Sequence, residues 1–108
     1  MEGFSRGVEL IRKREYFAAH EELEDAWRAA ETAERDFLQG LVHVAVAWYQ
    51  AGRGKEIGCG RQLEKAIRRL TPYAPEHGGI DIAGLLVQLE GAQAIVAGGS
   101  LELPAPRI

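Results

Sequence analysis

Apolar residues recur along this chain at intervals of three and four positions, which is the spacing of one face of an α-helix. This periodicity predicts five helices. The first three cover residues 3–13, 16–30 and 33–51. The fourth follows a glycine-rich turn and ends at Leu70, and the fifth begins after Asp81, a residue type that caps helix N-termini. Because no segment alternates with a period of two, we expect an all-α fold.

The third predicted helix is the most apolar of the five. Phe37 and Leu41 lie on one face of it, and Leu38 covers another direction. A helix that is apolar nearly all round is a central, buried one. We therefore expect a compact bundle of about five helices, which starts with an antiparallel helical hairpin and is built round the third helix. Residues 1–98 would form a single helical domain, and residues 99–108 a C-terminal tail.

Two segments are predicted to lack helix. Residues 71–79 contain two prolines and a pair of glycines, which predicts a loop, and His77 within that loop is expected to be exposed and uninvolved. The tail after the glycine pair at 98–99 contains two further prolines. We expect it to lie over the surface or to be loose.

The second helix places ionisable side chains where its face should be apolar. At about 100° per residue, the residues of one stripe are Tyr16, His20, Leu23, Glu24 and Trp27. Most of this stripe is bulky and hydrophobic, so it should face the core. A histidine and a carboxylate that face inward must be hydrogen-bonded, paired or bound to a metal.

The third helix carries a polar seam of its own. Gln39, His43 and Gln50 lie within about 40° of each other by the helical count. If this seam meets the stripe of the second helix, then His20 and Glu24 form an internal polar cluster with Gln39 and His43. This buried seam is the candidate functional site.

Three kinds of chemistry fit such a cluster. In the first, the side chains only form hydrogen bonds with one another and fix the register of the helices. Alternatively, His20, Glu24 and His43 are candidate ligands for a divalent metal such as zinc, manganese or iron, with an open position for an activated water. A metal-free acid–base site that uses His20 and Glu24 is the third interpretation. Glu21 points about 100° away from His20, so the two are not a zincin pair.

Composition narrows the classes of partner. The chain has 108 residues, with 16 acidic and 13 basic side chains and a net charge of −3, whereas nucleic-acid binding normally requires a basic surface. Cys59 is the sole cysteine, which excludes a disulfide framework. The longest mostly apolar stretch, residues 41–49, is far shorter than the ~20 residues that span a bilayer. We expect no nucleic-acid partner, no membrane partner and a cytoplasmic location.

Four segments resemble one known family. Residues 16–27 (YFAAHEELEDAW) and 37–41 (FLQGL) are similar to the helical family called domain of unknown function 309, and residues 58–66 and 79–81 are similar to its second half. The resemblance implies a small, stand-alone, all-helical bacterial or archaeal domain, and it supplies no activity. The positions that the motif carries over as a site are His20, Glu21, Glu24, Trp27, Gln39 and Gly40. At His43 the family pattern more usually has glutamine, which favours a hydrogen-bonding seam over an obligatory ligand.

Two functional hypotheses follow. The first is a non-catalytic helical module that binds a protein partner or forms a homo-oligomer, because 46% hydrophobic residues is a high content for so short a chain. The second is a metal-binding protein or metal-dependent hydrolase built on His20 and Glu24.

Overall fold

Residues 2–108, which the computed structural model describes, form an all-α fold as predicted. The helices are α1 (Glu2–Arg12), α2 (Tyr16–Ala29), α3 (Thr32–Gly52), α4 (Glu56–Leu70) and α5 (Ile82–Ala97). The predicted helix ends lie within one or two residues of these bounds, because the apolar spacing and the glycine-rich turns mark them clearly.

The predicted central position of the third helix is confirmed. α3 packs against α2 along one side and against α4 along the other, while α1 packs on α2 and α5 packs on α4. The fully buried side chains come from every helix, and they include Ile11, Leu23, Leu38, Leu41, Leu63, Leu70 and Leu89. Removing this apolar surface from water is the main force that holds the bundle together.

Two glycines allow the neighbouring helices to approach closely. A Cβ atom at Gly7 of α1 would lie 2.5 Å from Cγ of Leu23, and one at Gly40 of α3 would lie 2.6 Å from Cγ of Leu70. Both leucines are fully buried and have no room to move away. The absence of a side chain at these two positions therefore sets the spacing between α1 and α2 and between α3 and α4.

The segment between α4 and α5 is more ordered than the predicted loop. It contains a short 3-10 helix at Thr71–Tyr73 and two antiparallel two-residue strands, β1 (Glu76–His77) and β2 (Ile80–Asp81). Gly78 and Gly79 connect the strands with φ angles of +59° and +78°. Two consecutive positive φ angles are those of a tight hairpin turn. Asp81 then caps α5, as predicted, by accepting a hydrogen bond from the Gly84 N–H at 2.9 Å.

The prediction that His77 is exposed and uninvolved is wrong. Its Nε2 lies 2.7 Å from Oε2 of Glu34, and its ring packs edge-on against Phe37 and Tyr73, with centroids 4.6 and 4.8 Å apart. Phe4 of α1 also packs on Phe37, with the ring centroids 5.7 Å apart. The hairpin turn carries His77 back onto α3, which local sequence alone does not reveal.

The C-terminal tail lies over the surface and is held there. The indole Nε1–H of Trp48 donates to the carbonyl of Pro104 at 3.0 Å, and the guanidinium of Arg12 donates to the carbonyl of Ile108 at 2.8 Å. The division into a domain at 1–98 and a tail at 99–108 stays a prediction.

Candidate functional site

His20 and Glu24 pair with each other on α2. The Nε2 atom of His20 lies 3.2 Å from Oε1 of Glu24, and its Nδ1 atom lies 2.8 Å from the main-chain carbonyl oxygen of Phe17. Both partner atoms are oxygens that can accept a hydrogen bond, so each ring nitrogen of His20 has an acceptor within reach. The other carboxylate oxygen of Glu24 accepts from Arg28 at 3.1 Å.

The expectation that these side chains face the core is wrong. The His20 side chain is 21% exposed and that of Glu24 is 34% exposed, and no polar or charged residue within 2–108 is buried. The core-facing line of α2 is instead Ala19, Leu23 and Ala26. Small alanines let α2 approach its neighbours, so the bulkier stripe that contains His20 lies at the edge of the interface.

Two contacts mark the boundary between α2 and α3. The guanidinium of Arg35 lies 5.0 Å over the ring of Trp27, and the rings of Phe17 and Tyr49 lie 5.3 Å apart. His20 and Glu24 lie between the two α2 residues of these contacts. Gln39 is part-buried and follows Arg35 by one helical turn on the same side of α3. His20, Glu24 and Gln39 therefore flank the same boundary.

His43 lies on the side of α3 that faces α4. Its Nδ1 atom is 2.7 Å from Oε1 of Gln62, so the histidine bridges the two helices. Burial lowers the pKa of His43 below its usual 6.5, although the hydrogen bond to Gln62 acts in the opposite direction. The nearby charges of Lys65 and Arg69 lower the pKa further.

The part-buried polar residues of α2, α3 and α4 described above are here called the polar strip. The members of the polar strip are His20, Glu24, Gln39, His43 and Gln62. All five side chains are part-buried, so they are held in place by their neighbours while remaining in reach of another molecule.

The family model described as Domain of unknown function (DUF309) matches residues 4–61, which is more than half of the 108 residues. The chain belongs to the DUF309 family. No curated protein and no solved structure matches the chain. The DUF309 match covers α1 from its third residue, all of α2 and α3, and the first six residues of α4, and it contains every member of the polar strip except Gln62.

The remaining residues of the DUF309 motif fall into two groups. Glu21 is exposed on α2, and Trp27 is part-buried under Arg35, so both lie where a partner can reach them. Gly40 is buried against Leu70, and its role in the fold is the close approach of α3 to α4.

Phe17 was not among the residues predicted from the sequence. Its side chain is 50% exposed, which is unusual for a phenylalanine, and its ring packs on His20 at 4.9 Å as well as on Tyr49. The available signal was its position three residues before His20, since residues three apart are neighbours on a helix surface. Gln62 was not predicted either, because nothing in the local sequence relates it to His43.

The metal role of His20, Glu24 and His43 stays a prediction. Among residues 2–108, no three side chains of His, Cys, Asp or Glu are grouped so that they could hold a metal ion. Over the same residues, no helix is both long and apolar enough to cross a membrane.

Proposed function

We propose that this protein is a non-catalytic binding module that docks a protein partner on the polar strip and the adjacent Phe17. The observation that carries the proposal is the exposed ring of Phe17, which is supported from below by His20 and Tyr49. An aromatic side chain that is already held in place loses little conformational freedom on binding, which is a property of interface anchors.

The charges around Phe17 indicate the chemistry of the partner surface. Glu21 is exposed, and Glu24 lies one turn further on beside His20. A partner that places an apolar side chain on Phe17 and a lysine or arginine opposite these carboxylates would match the surface. Rim charges of this kind contribute mainly to specificity and to the rate of association.

Matched surface variants test the proposal. The parent protein, Phe17→Ala and Val87→Ala are immobilised separately, and the proteins that each retains from a lysate of the source cells are quantified by mass spectrometry. Val87 is the control, because it is 69% exposed and lies on α5, outside the polar strip. A partner retained by the parent and by Val87→Ala but lost with Phe17→Ala supports the proposal. Equal retention by all three proteins contradicts it.

The alternative function is a metal-binding protein or metal-dependent hydrolase that uses His20 and Glu24. The observation that favours it is the 3.2 Å contact between Nε2 and Oε1 on a partly exposed helix face. The untagged parent and Glu24→Gln are incubated with zinc, manganese or iron, desalted and analysed by inductively coupled plasma mass spectrometry. Near one equivalent of metal in the parent, lost in the variant, supports the alternative. No retained metal rejects it.

A cytoplasmic location belongs to the same proposal. Cys59 is fully buried, and burial raises the pKa of its thiol, so it is an unreactive packing residue. A free thiol in this role is compatible with a reducing compartment. The acidic net charge of −3 supports a protein partner rather than a nucleic acid.

A further inference from the structure

The turn between α1 and α2 holds an arginine in a backbone conformation that favours glycine. The φ angle of Arg14 is +62°, and no other residue within 2–108 except glycine has a positive φ. Its N–H bonds to the carbonyl of Ile11, and the N–H of Glu15 bonds to the carbonyl of Leu10. These two bonds form the Schellman motif, which ends many helices and usually has glycine at the left-handed position.

The same motif ends α3 and α5, where the equivalent position is glycine. The N–H groups of Gly54 and Gly99, and those of the residues that follow them, bond back in the same pattern, and the two φ angles are +72° and +92°. Glycine at position 14 would form this turn with less strain, because a Cβ atom is crowded in the left-handed region. The turn itself therefore does not account for Arg14, and the explanation lies with its side chain.

Arg14 borders a cleft between the start of α2 and the end of α3. The cleft has a volume of about 520 Å³, and four of its lining residues are aromatic, namely Tyr16, Phe17, Trp48 and Tyr49. Burial raises the pKa of Tyr16, while the positive charge of Arg14 acts in the opposite direction, so the guanidinium lies near the phenol. Because Phe17 is half exposed, the aromatic wall is accessible to another molecule.

The charges that line this cleft differ from those of the chain as a whole. Arg14 and Arg53 line it together with one acidic residue, Glu15, whereas the net charge of the chain is −3. The guanidinium of Arg53 lies 5.9 Å from the centroid of the Tyr49 ring. Among residues 2–108, neither arginine forms a salt bridge. Two such groups beside aromatic rings match a ligand that carries carboxylates next to a bulky apolar group.

We propose that this cleft binds an acidic segment of the partner protein, with a bulky apolar side chain among the rings and its neighbouring carboxylates paired with Arg14 and Arg53. The inference rests on the function proposed above, since Phe17 belongs to both surfaces. Single-stranded nucleic acid is the other class of ligand that combines arginine with aromatic rings. Glu15 in the cleft and the exposed Glu21 on α2 disfavour it, because both would repel a phosphate backbone.

A titration of the full-length, ¹⁵N-labelled protein followed by nuclear magnetic resonance tests the proposal. The probe is the acetylated and amidated peptide Glu-Glu-Trp-Glu-Glu, and the matched peptide has glutamine in place of every glutamate. We expect the acidic peptide to bind more tightly and to shift the N–H signals of Phe17 and Tyr49. Arg14→Gly and Arg53→Gln should each raise its Kd about fivefold, the effect of losing one exposed ion pair. Arg61→Gln is the control, because it removes one exposed positive charge from α4 outside the cleft, and its Kd should equal that of the parent.

Thermal unfolding separates a role in binding from a role in the fold. Because Arg14→Gly relieves the left-handed strain, we expect a melting temperature equal to that of the parent or up to about 5 °C higher, together with the weaker binding. A lower melting temperature would show that Arg14 serves the fold, and it would overturn the proposal.

Three binding results would also overturn it. These are an acidic peptide that binds no more tightly than the neutral one, an unchanged Kd in Arg14→Gly, and tighter binding of an oligothymidylate of eight nucleotides than of the acidic peptide. The lysate experiment distinguishes this inference from the proposed function. A partner that is lost with Phe17→Ala but retained by Arg14→Gly contradicts the acidic segment and leaves the proposed function standing. If the peptide results are as expected but Phe17→Ala loses no partner, the proposed function fails and the cleft remains a site for acidic segments.

Discussion

At His20 the two ring nitrogens have different partners, a main-chain carbonyl and the carboxylate of Glu24. Pairs of this kind, spaced four residues apart on a partly exposed helix face, stabilise proteins by only about 0.3–0.5 kcal/mol. Arg28 shares the same carboxylate and is itself 60% exposed. The pair therefore contributes little to the stability of the bundle.

Replacing Glu24 by Gln tests this view. The change removes the charge that both His20 and Arg28 contact, and we expect the free energy of unfolding to fall by no more than about 1 kcal/mol. Urea unfolding monitored by circular dichroism measures it. Asp25→Asn is the control, because Asp25 is more exposed and contacts Arg28 alone of these residues. A loss of about 3 kcal/mol or more, typical of a broken buried pair, would contradict the exposed geometry.

The lowered pKa of His43 predicts how the stability of the protein changes with pH. Because burial lowers its pKa below 6.5 in the folded protein, the unfolded chain takes up this proton first as the pH falls. The stability that His43 supplies is thus complete above its ordinary pKa and declines as the pH drops towards its folded pKa. In His43→Gln, the amide can still bond Gln62 but does not titrate.

The comparison is the free energy of unfolding of the parent minus that of His43→Gln, measured from about pH 7 to pH 5. We expect this difference to fall with acidification. Subtracting one protein from the other removes the contribution of every ionisable group that the two proteins share. Parallel stability curves for the two proteins would show that His43 titrates normally in the folded state.

At the scale of the elements, glycine positions decide how closely the helices pack. Gly40 sits under Leu70 at the α3–α4 contact, whereas a Cβ atom added to Gly60 on α4 would meet no other atom within 4 Å. Gly40 thus lies at a contact between helices, whereas Gly60 does not. They should therefore respond in opposite directions to the addition of one methyl group.

We expect Gly40→Ala to lower the free energy of unfolding by about 1–3 kcal/mol, because the methyl group overpacks a buried contact. Gly60→Ala should raise it by about 0.4–1 kcal/mol, because alanine restricts the unfolded chain and fits the helix. Thermal and urea unfolding of both variants measure the effects. Stabilisation by Gly40→Ala would show that α3 and α4 are further apart than described.

The helices were predictable because their signals are local. Repeated apolar residues, the glycine turn at 52–54 and the Asp81 cap lie within a few positions of the ends they set. The direction of the His20 stripe was not predictable, since Tyr16 and Trp27 suggested burial and the small Ala19 and Ala26 concealed the true contact line. The partners of His43 and His77 lie 19 and 43 residues away, and sequence spacing does not determine such pairs.

At the scale of the whole molecule, the C-terminal residues 100–108, here called the strap, connect helices that do not follow one another in the chain. It meets Arg12 near the beginning, Trp48 in the middle and Gln88 near the end. The prolines of the tail suggested either a surface position or a loose end, and the sequence did not separate these two outcomes. Hydrogen bonds from side chains on three helices hold the tail on the surface.

Trp48→Phe tests how strongly the strap is held. The variant keeps an aromatic ring but loses the N–H that donates to Pro104, which should cost about 1 kcal/mol. We expect faster hydrogen exchange at the N–H of Arg107, measured by nuclear magnetic resonance. Trp27→Phe is the control, because Trp27 lies on α2 under Arg35. Unchanged exchange at Arg107 in Trp48→Phe would show that this hydrogen bond does not anchor the strap.

The central position of α3 has a consequence for how this family is delimited. A chain cut after residue 61 would retain every residue that the family model matches. It would also strip α3 of the groups that cover it: Gln62 over His43, Leu70 over Gly40, Tyr73 and His77 over Phe37, and Pro104 beside Trp48. A fragment with these limits would expose the buried side of α3 to water, and we therefore expect that it does not fold on its own.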